Sequence, residues 1–97
     1  MDLKYTPKTI MEIENETGVP LTDYVSKFSM NTIIMFVKKG LDVSKEKAFT
    51  EIEEYFADNG DMISLYLTIM EALQRDGFLP KALNIEEVRA KMQNLKV

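Results

Sequence analysis

The sequence predicts an all-α fold, a small bundle of about five to six helices behind a short N-terminal extended arm. Three observations predict it. Apolar residues recur at spacings of three and four along most of the chain, the period of one helix face. Ser, Thr, Asp or Asn precedes nearly every such segment, and Gly or Pro follows most of them. Leu3 and Tyr5 alternate with Asp2 and Lys4, the period of a strand, which suggests at most one short strand.

Asp2-Leu3-Lys4-Tyr5 therefore reads as a short strand or extended arm. Thr6 is the expected N-cap of a first helix, with Pro7 at N1, where a missing N–H costs nothing. Ile10 and Ile13 share one face of it. Gly18 suits the left-handed residue after its end and Pro20 blocks continuation, so this helix should span about residues 7–17. Leu21, Tyr24, Val25 and Phe28 have the spacing of a second helix face. Ser29 or Asn31 restarts the chain. Ile33, Ile34, Phe36 and Val37 make the third helix apolar nearly all round, hence buried. Lys38 and Lys39 suit the negative end of its dipole, and Gly40 is expected to close it.

Ser44 should cap a fourth helix with Ala48, Phe49, Ile52, Tyr55 and Phe56 as its inner face and Asn59-Gly60 as its end. Asp61 should cap a fifth. Met62, Ile63, Leu65, Tyr66, Leu67, Ile69, Met70 and Leu73 leave it little polar surface, which places it at the centre of a bundle or gives one face to a partner. Gly77 and Pro80 stop it, with Phe78 folding back on its last turn. Asn84 and Glu87 have capping-box spacing, and Leu83 and Val88 occupy staple positions. Ile85, Val88, Met92 and Leu95 then form a narrow stripe like a short coiled-coil seam. The organisation expected is a helical domain over residues 1–80 and an amphipathic helix within 81–97 that either docks on that domain or faces a partner.

Chemistry is constrained by what the chain lacks. With 97 residues, one domain is expected. There is no Cys, so disulfides, zinc–thiolate sites and a thiol nucleophile are excluded, and a reducing compartment fits. There is no His, the commonest general base and metal ligand. Ser44 with Lys47 nearby reads as an ordinary first helical turn, so no catalytic residue is assigned. A calcium loop starting at Asp58 would need Gly sixth and Glu twelfth; those positions are Ile63 and Ile69. No Gly-rich phosphate loop occurs. No metal or cofactor is expected.

Glu12, Glu14 and Glu16 suggest a carboxylate site only until they are set on a helix. Residues i and i+2 lie about 200° apart, so Glu14 faces away from the other two. Glu12 and Glu16 share a side, and as like charges repel by roughly a few tenths of a kcal/mol, which a solvated face tolerates.

The formal net charge of −4 argues against nucleic-acid binding, which needs a basic footprint. The charge is uneven. Residues 51–61 carry Glu51, Glu53, Glu54, Asp58 and Asp61 with no base, whereas the last 17 residues carry Lys81, Arg89, Lys91 and Lys96 against Glu86 and Glu87. Helices two and three could pass for a helix-turn-helix offering Asn31 and Thr32, but their junction lacks Gly and Lys38 and Lys39 lie at the wrong end. The N-terminus has no apolar signal region, and the longest apolar run is broken by Ser64, Thr68 and Glu71, too short and polar to span a bilayer. Protein binding remains. Seven Met residues suit surfaces that adapt to a partner. The partner-binding candidates are Ile85, Val88, Met92 and Leu95 on the tail, with Met62 and Met70.

The segment LKYTPKTIMEIENETGVPL resembles the start of the small tail assembly chaperones of long-tailed bacteriophages and related prophages, in which a short extended arm leads into an Ile-x-x-Ile-Glu helix closed by Thr-Gly or a similar pair. The buried helix ending VKKGL, the acidic helix FTEIEEYFADNG and the apolar helix ending LQRDGF extend the resemblance over residues 3–79. It implies a non-enzymatic protein of the host bacterial cytoplasm that binds the tape measure protein, recruits the major tail tube protein and leaves before the virion is complete. In many members of that family a ribosomal frameshift appends a second domain. Self-association is a further expectation. The alternative is a small helical regulator or adaptor binding DNA or a host protein.

Overall fold

Six α-helices and no strand make up the described part of the chain: α1 (Pro7–Thr17), α2 (Leu21–Val25), α3 (Met30–Leu41), α4 (Lys45–Ala57), α5 (Met62–Arg75) and α6 (Ile85–Asn94). The computed structural model describes residues 1–25 and 29–94, and the side chains of residues 1–23 and 29–92. The Tyr24, Val25, Phe28 and Leu95 side chains of the expected stripes lie outside these.

The caps act as local chemistry dictates. The side-chain oxygens of Thr6, Ser29, Ser44 and Asp61 accept from the backbone N–H three residues on, satisfying donors that a helix start leaves open. At Asp61 the bond is reciprocal, because Ser64 Oγ accepts from the Asp61 N–H at 3.0 Å. Gly18 takes φ 72°, ψ 13°, and its N–H closes α1 on the Glu14 carbonyl.

α3 and α5 form the spine. α1 and α4 pack on α3, α3 packs on α5, and α6 packs on α5. Ile33, Phe36 and Val37 from α3 meet Ile63, Leu65, Tyr66, Leu67, Ile69, Met70 and Leu73 from α5 in one buried cluster, to which α1 adds Ile10 and Ile13. Burying an aliphatic side chain of this size contributes about 1.5–3 kcal/mol, so α5 holds the largest share of the core. Ile34 of α3 is only half-buried.

The arm forms no strand. Residues 1–6 run extended over α3 and the end of α5, with Leu3 and Tyr5 buried. The Lys4 N–H donates to the Gly40 carbonyl at 3.0 Å. The Tyr5 N–H donates to Asp76 Oδ2 at 2.8 Å, and its hydroxyl donates to the Phe36 carbonyl at 2.7 Å. Arg75 donates to the Leu3 carbonyl while also pairing with Asp76.

Gly40 does not close α3. The helix continues to Leu41, and Asp42 adopts the left-handed conformation (φ 57°, ψ 55°) that ends it. Gly40 is instead a packing residue inside the helix: a Cβ there would lie 2.7 Å from Tyr5 Oη and 2.8 Å from Leu3 Cδ2. The glycine lets the arm reach the helix backbone.

Candidate partner-binding surface

The three glutamates of α1 are engaged rather than free. Lys39 of α3 reaches Glu16 at 2.9 Å and Glu12 at 3.7 Å, which relieves their mutual repulsion. Glu14, on the other side, accepts from the Leu21 N–H at 2.7 Å and so holds the start of α2. The hydrogen bond from Lys39 lowers the Glu16 pKa below the usual carboxylate value. Arg75, and then the Tyr5 N–H, do the same for Asp76. Both folded pKa values lie below the unfolded ones. Their stabilisation is therefore complete above the ordinary carboxylate range, about pH 4–4.5, and fades as pH falls through the depressed values. Thermal melts from pH 7 to pH 3 should show the Glu16→Gln, Asp76→Asn double variant losing less stability on acidification than the parent. Because both groups are solvent-accessible, the difference should shrink in high salt. Parallel acid profiles would show that neither pair matters to stability.

The tail helix lies on its own domain. Ile85, Val88 and Met92 are half-buried against the core, as are Leu79 and Leu83 before them. The Gln74 side-chain amide donates to the carbonyls of Pro80 at 3.0 Å and Leu83 at 2.8 Å, tying the linker to α5. Asn84 Oδ1 accepts from the Glu86 and Glu87 N–H groups and caps α6. Of the other candidates, Met70 is 5% exposed and belongs to the core, Met62 is half-buried, and Leu95 lies outside the described residues. Gln74 escapes sequence reading, since a polar residue in the last turn of a helix carries no sign of the loop it will hold.

α4 differs from expectation. Ala48 and Ile52 are buried and Tyr55 half-buried, but Phe49 and Phe56 are 40% and 36% exposed and do not belong to an inner face. At 100° per residue the five apolar side chains span about 120° of the helix, centred on Ile52, with Phe49 and Phe56 at one margin. A tie from Tyr55 Oη to Ser64 Oγ, at 3.0 Å, turns the opposite margin toward α5. The surplus width of that arc was the available signal.

Phe49 borders a groove of about 330 Å³ between α3 and α4, lined by Asn31, Ile34, Met35, Lys38 and Lys45. Ile34 and Met35 are half-buried, and the Lys45 ammonium sits 5.9 Å from the Phe49 ring centre. The groove thus has an apolar floor, a flexible thioether and two lysines at its rim. Met30, at the start of α3, is 36% exposed, and Met11 on α1 is 54% exposed. A second open cleft, between the arm, α1 and α3, mixes Lys4, Lys8 and Lys39 with Asp2, Glu12 and Asp42 and presents no single sign of charge.

The positions considered for base reading separate: Asn31 is exposed, while Thr32 is buried and its hydroxyl is bonded to Ser29 Oγ at 2.8 Å. Among the described residues no three acidic side chains converge as a metal site, and no helix is long and apolar enough to cross a membrane. No protein-family model, no curated protein and no solved structure matches the chain.

Proposed function

We propose that the protein is a tail assembly chaperone of a long-tailed phage or prophage, acting by binding rather than catalysis. The observation that carries this reading is the α3–α4 groove, where exposed Phe49 stands beside Ile34 and Met35 with Lys38 and Lys45 at the rim. An exposed aromatic with a methionine beside it suits an amphipathic helical client, because the thioether adapts to side chains of different shape. Lys38 and Lys45 would meet acidic residues flanking the client's apolar stripe. The resemblance of residues 3–79 supplies the client, the tape measure protein, and a second partner, the major tail tube protein. The overall acidity favours keeping such a complex dispersed. The work would be done in the host cytoplasm, and the finished virion would not contain the protein.

Co-expression tests the proposal. Tape measure fragments should stay in the supernatant with the native protein and precipitate with the Phe49→Asp variant. Loss of a central aromatic anchor costs about 2 kcal/mol or more in binding, over tenfold in Kd. Fragments that precipitate equally with and without the native protein would end the reading, and a salt-dependent shift of DNA would favour the helical regulator.

A further inference from the structure

The exposed margin of α4 carries a charge order that fits a second copy of itself. Lys45, Phe49, Glu53 and Phe56 fall within about 80° of one another on the helix. Phe49, Glu53 and Phe56 are exposed, as is Lys45. Lys45 and Glu53 are eight residues apart, about 12 Å along the axis, too far to pair with each other. Neither makes an ion pair among the described residues, whereas Lys47 and Glu51 pair at 3.4 Å elsewhere on the helix.

A two-fold axis placed at Phe49 maps position 45 onto 53. An antiparallel mate therefore sets Phe49 against Phe49, and Lys45 against the other copy's Glu53 twice. A parallel mate would set lysine on lysine and glutamate on glutamate, which repel. Phe56, one heptad from the axis, is carried toward the lysine end of the facing copy's groove. The arrangement is isologous, the commonest way a soluble chain pairs with itself.

We infer that α4 forms an antiparallel homodimer interface centred on Phe49, with reciprocal Lys45–Glu53 pairs across it. One short helix per subunit buries an area at the low end for specific contacts, so the dimer is weak and concentration-dependent. This does not rest on the client reading, since the protein alone tests it; a client seated on Phe49 would compete with the second copy for the same surface.

Sedimentation velocity from about 10 µM to about 1 mM, the range of weak association, should show the mass rising from one chain toward two. Lys45→Glu and Glu53→Lys, each alone, should stay monomeric over that range, because each turns both contacts into like-charge contacts. Mixed in equal amounts they should associate at least as tightly as the parent. The acid introduced at position 45 of one variant then faces the base introduced at position 53 of the other, and the native Glu53 of the first faces the native Lys45 of the second. Both positions are exposed, so circular dichroism should show unchanged folding. A parent that remains monomeric throughout, single variants that dimerise like the parent, or a mixture no tighter than its components would overturn the inference.

Discussion

Tyr5→Ala should lower the unfolding free energy by about 3–5 kcal/mol, the cost of deleting a large buried aromatic. Tyr5 is 4% exposed, and its ring meets Phe36 edge-on with centroids 5.8 Å apart. It joins three parts of the chain that are distant in sequence. The hydroxyl binds the Phe36 carbonyl, 31 positions away, and the N–H binds Asp76, 71 positions away. Burial pushes the phenol pKa far above its ordinary value, so the hydroxyl stays a donor at any working pH. Removing the ring opens space under Gly40 and frees the arm, exposing Leu3 as well. For a domain of this size the loss corresponds to a fall in melting temperature of roughly 4–8 °C per kcal/mol. Tyr5→Phe separates packing from hydrogen bonding and should cost about 1 kcal/mol. A Tyr5→Ala protein that melts within a degree or two of the native one would mean that residues 1–6 fold apart from the cooperative unit.

The second large effect is expected on the tail. Val88→Asp with Met92→Asp places two carboxylates where half-buried apolar side chains meet the core. Losing the partial burial of both costs about 2–3 kcal/mol, and the charges resist redocking. From the sequence stripe alone, this double change should abolish partner binding while leaving helicity nearly intact. The packing of α6 on α5 redirects that expectation. Once undocked, α6 is a ten-residue helix, below the length at which isolated helices persist in water, so its helical signal should disappear with the docking. Amide hydrogen exchange reads this directly, with protection lost over residues 85–92 and at the α5 face beneath them while α1 and α3 keep theirs. If α6 keeps its protection and the melting temperature holds, the stripe is not docked in solution and stands available to a partner.

These two experiments fall on opposite sides of what could be read from residue order. Thr6, Ser29, Ser44 and Asp61 announce helix starts, and Gly18 announces a stop, because a cap is made with atoms two to four residues away. The bounds of α1 follow from Thr6, Pro7 and Gly18 without any knowledge of the rest of the molecule. Gly40 was misleading for the same reason: locally it is the natural end of α3, and only the arm lying against it makes it an interior residue. On α4, the series 48, 52, 55 and the series 49, 52, 56 both have helical period. Local pattern cannot choose between them.

The six helices of the described residues, most of their ends, the chain's acidity and the absence of Cys and His were thus set by neighbouring residues and composition. Tertiary packing decided which margin of α4 faces water, that Lys39 serves two glutamates of α1, that Gln74 holds the tail, and that Tyr5 and Asp76 clamp the arm. The division has one physical cause. Caps and periodicity act over one or two helical turns, within reach of the backbone that carries them. Which face is buried depends on the surfaces that the rest of the chain brings against it, and the pairs that settle it here are separated by up to 72 positions.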